Sequence, residues 1–186
     1  MASSAAATVS QPTLTTLGAR IALAAAEQHA IRIGVPMNIA IVDSYTHILS
    51  FLRMDGARIT SVNAAFDKAF TAAGHRVPTS ELKEDVWSGG GAFGIGARIC
   101  AIGGGIPIID EDGYILGAIG CATGTSEQDE EVAIKGRDAV LEYVKMDRER
   151  EVVRDYIERE IRVKRARLED TPPSDMAEMV QAEIAV

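Results

Sequence analysis

The segment RICAIGGGIPIIDEDGYILGAIGCATG, residues 98–124, decides the fold class. It contains three short apolar runs, which are separated by the glycines at 103–105 and by the turn formers at 110–113. An Asp-Gly pair between two apolar runs is a strong β-hairpin signal. The segment therefore predicts three strands, with Asp112-Gly113 in the turn between the last two.

The chain before this segment predicts a first helix and a second hairpin. Alanine-rich helical periodicity runs from Thr13 to Ile33 and stops at Gly34 and Pro36. The apolar runs MNIAIVDS and HILSFLRM follow, and the turn formers DSYT lie between them. Two β-branched runs around such a turn predict an antiparallel pair.

Two further helices are predicted between the hairpins. Thr60 or Ser61 can cap a helix that runs to about Ala73, with Gly74 as its C-terminal stop. The run VPTSELKEDV then predicts a short helix, for which Thr79 or Ser80 is the N-cap.

After the second hairpin, Ser126 predicts the N-cap of a long helix, with Asp129 in capping-box position. Glu127 and Asp129 are explained as acids in the first turn and receive little catalytic weight. The element order is α-ββ-α-(α)-βββ-α. Sequential antiparallel strands flanked by helices predict an α+β domain with one sheet covered by helices.

The domain organisation follows from composition. Residues 1–12 are predicted to be a disordered leader, residues 13–145 the folded domain, and residues 146–186 a charged helical extension. From Lys145 to Asp170 the chain has nine basic and eight acidic residues and a thin apolar stripe. Two interpretations stay open: a helix laid on its own domain, or an oligomerisation arm.

Composition excludes several classes of protein. The 186 residues carry a net charge of -8, which does not suit nucleic acid or an anionic membrane as a partner. Two cysteines are too few for a disulfide framework, so we expect a reducing compartment. No apolar run reaches the ~20 residues of a membrane helix, and the N-terminus does not resemble a signal peptide. We therefore expect a cytoplasmic protein.

Two sequence patterns that often mark cofactor or metal sites are not convincing here. The glycines at 89, 91 and 94 fit G-x-G-x-x-G, but they follow Trp87-Ser88 rather than a strand. No spacing among the three histidines and two cysteines suits a structural zinc site. His29 and His47 are explained by packing or exposure. His75, beside Arg76, is either a cation at a helix C-terminus or a ligand and proton-transfer residue.

A small group of residues around the RMDGA turn, residues 53–57, forms the candidate site. Lys68 lies among alanines of the predicted second helix, so its stem is expected to be partly buried. A lysine held in this way could bind a carboxylate or act as a base with a lowered pKa. Arg53 and Asp55 would lie near the start of that helix, or simply pair with each other. Cys121 is expected to be a buried, inert thiol. The hypothesis is a polar-rimmed pocket, which the backbone of the glycine-rich segments at 89–96 and 103–105 can approach closely.

Several motifs occur in an order that resembles the GlcG/HbpS family, the haem-degrading or DUF336 domain that includes the C-terminal domain of PduO-type proteins. They are RMDGA at 53–57, Lys68-Ala69 with Thr71-Ala72, IGGGIPI at 102–108, DG-ILGAIG at 112–120, and EQDEEVAIKG at 127–136. The resemblance spans about residues 13–145. It implies a profilin-like α/β/α sandwich, a homo-oligomer and a link to haem. The CATG segment at 121–124 departs from the family's usual Val-Ser-Gly.

Three functions remain in competition. In the first, the protein binds a small molecule such as haem, with no cofactor required and His75 as the axial ligand. Arg53, Lys68 or Arg76 would pair with carboxylates, and the remaining ligand-binding residues would be Gly103, Gly104, Gly105 and Cys121. In the second, Asp55, His75 and Lys68 are the catalytic residues of a cofactor-free isomerase, lyase, hydratase or cyclase acting on a small carbonyl or carboxylate compound. The third is a mainly structural assembly partner.

Overall fold

The computed structural model describes residues 7, 9–83, 86 and 99–169, with side chains in the last helix described as far as residue 166. The chain divides into two compact units, residues 1–144 and 145–186. Most of the predicted leader, the glycines at 89–94 and the segment after residue 169 lie outside the described residues.

The first unit is built on one antiparallel sheet. Its strands run in the spatial order β2-β1-β4-β3, so β2 and β3 are the two edge strands. The elements are α1 (Thr16–Arg32), β1 (Asn38–Asp43), β2 (Ile48–Arg53), α2 (Val62–His75), β3 (Gly105–Ile109), β4 (Ile115–Ala122) and α3 (Ser126–Glu169). Short 3₁₀ turns cover Ile59–Ser61 and Thr79–Leu82.

The two faces of the sheet carry different layers. Ile39 and Ile119 belong to a core that also contains alanines of α1 and the residues Val132, Ala133 and Val140 of α3. Ala40 and Ala118 belong to the opposite core, where the alanines of α2 pack. Helices cover both faces of one antiparallel sheet, so the predicted α+β class and the α/β/α sandwich are confirmed. The long C-terminal helix is also present.

Small residues let α2 lie directly on β4. A Cβ atom added at Gly120 would be only 2.6 Å from the backbone nitrogen of Ala69, so only glycine fits there. Ala65, Ala69 and Ala72 are fully buried in the same contact. This close approach holds the middle of α2, and with it Lys68, beside the end of β4.

In the described residues 99–102, the strand expected before the three glycines is not formed. Its backbone groups bond to side chains instead: the Cys100 N–H donates to Thr71 Oγ1 at 3.0 Å, and Thr79 Oγ1 donates to the Ile102 carbonyl at 2.7 Å. Thr79 is therefore not the predicted helix cap, because its hydroxyl is used between the 3₁₀ turn and this segment.

Two helix boundaries also differ from the sequence prediction. Gly74 does not stop α2, because the helix continues to His75 and Arg76 takes the left-handed conformation with φ 61°. The capping box of α3 is shifted by one residue. The Gln128 N–H donates to Thr125 Oγ1 at 3.3 Å, and the Thr125 N–H donates to Gln128 Oε1 at 3.0 Å. The predicted box of Ser126 and Asp129 is therefore wrong, which leaves Asp129 available for another contact.

Candidate functional site

A buried ion pair joins the two helices that cover opposite faces of the sheet. Lys68 Nζ of α2 lies 2.8 Å from Asp129 Oδ2 of α3, and both side chains are only 4% exposed. Lys68 Nζ also donates to the Cys121 carbonyl at 3.0 Å, at the end of β4. The Gly124 N–H donates to the other carboxylate oxygen, Asp129 Oδ1, at 2.9 Å. Each charge therefore has an opposite charge and a further hydrogen bond, as buried charges require.

Burial sets the electrostatics of this pair. Loss of water raises the pKa of the Asp129 carboxyl above its usual value, and the Lys68 ammonium and the Gly124 N–H act against that rise. Burial likewise raises the pKa of the neighbouring Cys121 thiol far above its usual value, with the Asp129 charge acting in the same direction. Cys121 is fully buried, as expected from the sequence, and its low reactivity stays a prediction.

The glycines at 103–105 close over the ion pair. Gly104 has φ 119°, and a Cβ atom there would be 2.6 Å from the Cys121 carbonyl oxygen and 2.8 Å from Lys68 Nζ. A Cβ at Gly105 would meet the Lys68 backbone oxygen at 2.5 Å. Side chains are thus excluded, and backbone seals the pair from solvent.

The structure brings part of the predicted site together. Lys68, Cys121 and the glycines at 103–105 lie in one cluster, and the partly buried lysine stem expected from the sequence is in fact fully buried. Other predicted residues lie elsewhere: Arg53 and Asp55 are exposed at the end of β2 and in the turn after it, and His75 and Arg76 are exposed at the end of α2. Within the described residues, Arg53 donates to the Ala57 carbonyl at 3.4 Å.

A groove on the α2 side of the sheet is a second candidate site. It has a volume of about 540 Å³ and lies between the β1–β2 hairpin and α2. Its lining residues are Val42, Thr46, His47, Ile48, Asn63, Phe66, Asp67 and Phe70. Phe66 also stacks on Phe51 of β2, with ring centroids 4.7 Å apart. Edge strand β2 leaves this surface open, since Ile48 is 58% exposed.

Asp43 fixes the histidine at the mouth of this groove. Asp43 Oδ1 accepts the N–H groups of Tyr45 and His47, both at 2.8 Å. Asp43 Oδ2 lies 3.3 Å from His47 Nδ1, and the His47 side chain is 77% exposed. With Nδ1–H donating to the carboxylate, Nε2 of the neutral ring keeps its lone pair for a ligand.

His29, by contrast, is committed within the fold. Its Nε2 lies 2.7 Å from Glu131 Oε1 and its Nδ1 lies 2.9 Å from Arg32 Nη2, so both ring nitrogens are used.

Among the residues that the structure describes, no group of three or more His, Cys, Asp and Glu side chains could hold a metal ion. No helix in the same part of the chain is long and apolar enough to cross a membrane.

Sequence reasoning missed Asp129 and His47 as site residues. Asp129 stands in the first turn of α3, where capping explained it, and its partner Lys68 is 61 residues away. His47 was explained by exposure at a turn. The one local signal was Asp43, four residues before His47, since an aspartate at a turn can bond backbone and imidazole groups that follow it.

Comparisons with known proteins find relatives of this antiparallel α/β/α sandwich. The family described as haem-degrading protein HbpS-like matches residues 14–138. An uncharacterized 15.0 kDa protein from the dhaT-dhaS intergenic region of Citrobacter freundii is 35% identical over 134 residues, which cover 70% of this chain and 94% of that protein. This chain belongs to the HbpS-like family.

Solved structures agree with this assignment. The DUF336 protein ORFY of Klebsiella pneumoniae is similar with a TM-score of 0.70 and 30% identity, over 74% of this chain and 97% of that one. PduOC, solved in complex with haem, is similar with a TM-score of 0.64 and 28% identity, over 68% of this chain and 94% of that one. These similarities show that the chain shares the fold of these proteins.

Proposed function

We propose that this protein binds haem in the groove between the β1–β2 hairpin and α2, with His47 as the axial ligand. The observation that carries the proposal is an exposed imidazole, held through Nδ1 by Asp43, at a groove of which half the lining residues are apolar. A carboxylate on the second ring nitrogen orients a ligating histidine and raises its basicity. The similar PduOC was solved with haem, which supports this ligand class.

The groove suits a flat ligand in size, and half of its lining residues are apolar. Its volume of about 540 Å³ falls within the ~300–1,000 Å³ typical of ligand pockets. Phe66, Phe70 and Ile48 offer aromatic and aliphatic surface to a ring system. Bound haem would supply the iron chemistry. The protein would ligate the iron, orient the haem and partly remove the haem from water.

The described lining of the groove offers few partners for the carboxylates of such a ligand. None of the described lining residues is a lysine or arginine, and Asp67 is acidic. Lys68, one of the residues expected to pair with propionates, has its amine bound to Asp129 and Cys121. The propionates would therefore extend into water, and affinity would come from the iron–imidazole bond and apolar contact.

His75 remains the axial ligand predicted from the sequence, so the two histidines are competing candidates. Both are exposed, but the groove is lined by His47. The acid–base enzyme is less well supported. Lys68 is sealed in an ion pair, away from solvent, whereas Asp55 is exposed in the turn after β2.

Haemin titration followed by Soret absorbance tests the proposal. Wild type should bind about one haemin per chain, His47→Ala should lose the axial-ligand spectrum, and His75→Ala serves as the matched control that retains it. Ile48→Asn should weaken binding while preserving the spectrum, since this exposed side chain lines the groove without ligating. Loss in His75→Ala alone would keep haem and overturn the groove. Non-saturable uptake by wild type would overturn haem binding itself.

A further inference from the structure

The second unit carries an apolar row on the surface of α3. At 3.6 residues per turn, Met146, Val153, Ile157 and Ile161 lie within about 40° of one line along the helix. Their exposed fractions are 42%, 57%, 50% and 46%. An isolated helix this apolar on one side gains little stability in water, so a partner surface would stabilise it. The family match ends at residue 138, so the row lies outside the family's shared region.

The row is symmetric about Ile157. Val153 and Ile161 stand four residues on either side of it, and the two basic residues in the same row, Arg150 and Lys164, stand seven residues on either side. A sequence that reads alike in both directions along a helix face is self-complementary when a second copy lies antiparallel to it. Such a pairing has two-fold symmetry, which is the commonest arrangement in homo-oligomers.

Charges beside the row favour the same arrangement. Asp147, Arg154, Glu158 and Arg165 lie on one flank, about 60–100° from the row. Two-fold symmetry about Ile157 brings Asp147 within two residues, about 3 Å along the axis, of the position opposite Arg165 of the second copy. Arg154 lies equally close to the position opposite Glu158 of the second copy. All four side chains are exposed, and each of the two pairs of opposite charges would occur twice in the dimer.

The charge distribution along the helix distinguishes antiparallel from parallel pairing. Between residues 147 and 160 there are six acidic and four basic side chains, whereas between 161 and 166 there are three basic and none acidic. A parallel pair would place the basic ends together. An antiparallel pair brings each basic end against the more acidic part of its partner.

We infer that residues 146–165 of α3 form an antiparallel, two-fold interface with the same segment of a second copy of this chain. Val153 packs against Ile161 of the second copy, and Ile157 packs against its own symmetry mate. Arg150 and Lys164 lie in the row with their alkyl stems along the apolar surface and their charged ends in water.

Cysteine crosslinking of the full chain tests the direction of the pairing, in a Cys100→Ser background that leaves Cys121 fully buried. Asp147→Cys and Arg165→Cys proteins are oxidised separately and after mixing and re-equilibration. The antiparallel interface predicts a disulfide-linked dimer in the mixture only, because each residue lies on the order of 25–30 Å along the axis from its own symmetry mate. A parallel pair would crosslink each variant with itself. Crosslinks in the separate samples, or none in the mixture, overturn the proposal.

A charge exchange provides the second measurement. Arg165→Asp sets two aspartates against each other at both ends of the interface, and the dimer dissociation constant should rise about tenfold. Adding Asp147→Arg restores opposite charges and should return the constant to near the wild-type value. These exposed positions leave the folded unit unchanged, as circular dichroism would verify. A double variant no tighter than the single one would contradict the antiparallel register.

Discussion

Replacing Lys68 by methionine leaves the Asp129 carboxylate buried without its cation. Both side chains are 4% exposed, so the interaction is not weakened by surrounding water. Breaking one partner of a buried pair costs about 3–5 kcal/mol, and on a unit of this size that lowers the melting temperature on the order of 10 °C. Asp129→Leu should cost a similar amount, because Lys68 is then unpaired.

A double-mutant cycle isolates the interaction energy between Lys68 and Asp129. Lys68→Met with Asp129→Leu removes both charges, so its cost should be well below the sum of the two single costs, with a coupling of roughly 2–3 kcal/mol. Urea unfolding followed by circular dichroism gives each free energy of unfolding. Additive single costs would refute the ion pair as the link between α2 and α3.

The same variant has a pH signature. Burial already raises the pKa of Asp129, and removing the Lys68 ammonium removes an influence that lowers it. A folded carboxyl with a raised pKa keeps a proton that the unfolded chain has released, so stability falls as pH rises through that interval. The penalty of Lys68→Met should therefore shrink between pH 7 and pH 5. If the loss of stability caused by Lys68→Met did not depend on pH, Asp129 would not be a buried, charged carboxylate.

Three further outcomes follow from the geometry. Gly104→Ala should destabilise by about 2 kcal/mol or more, because its φ is 119° and its Cβ would contact the Cys121 carbonyl. Gly74→Ala has open space around it in α2 and should stabilise by about 0.5–1 kcal/mol. Thermal melts of the two variants compare these effects. Native Cys121 should resist iodoacetamide at pH 9, because burial raises its pKa and keeps the thiol protonated, and mass spectrometry of labelled native and unfolded chains would detect the difference. Thr125→Ala should cost about 1 kcal/mol and Ser126→Ala less, and equal costs would contradict the shifted capping box.

Local patterns predicted the layers of this fold well, and long-range contacts explain what they missed. The hairpin around DSYT and the Asp112-Gly113 turn follow from short-range signals, which a single sequence displays directly. The expected strand is absent from the described residues 99–102, because the hydroxyls of Thr71 and Thr79 bond to the backbone of Cys100 and Ile102. Apolar periodicity does not indicate such partners. Asp129 was missed for the same reason, since its partner lies on another helix.

The groove could not be predicted, since it assembles residues that are distant in the chain. Its histidine comes from the turn after β1, whereas Phe66 and Phe70 come from α2, about 20 residues later. Each residue alone has an ordinary explanation, as turn or helix surface. Only the sheet order, which leaves β2 at an edge beside α2, places them together.

Hydrogen–deuterium exchange with and without haemin, read by mass spectrometry, tests the central claim most directly. Haem in the proposed groove should slow exchange in peptides covering residues 42–51 and 63–70, and His47→Ala should abolish that protection. Peptides of α1, including the buried His29, provide the internal control and should not change. Protection confined to the region of His75, or no protection in any peptide at saturating haemin, would contradict the account.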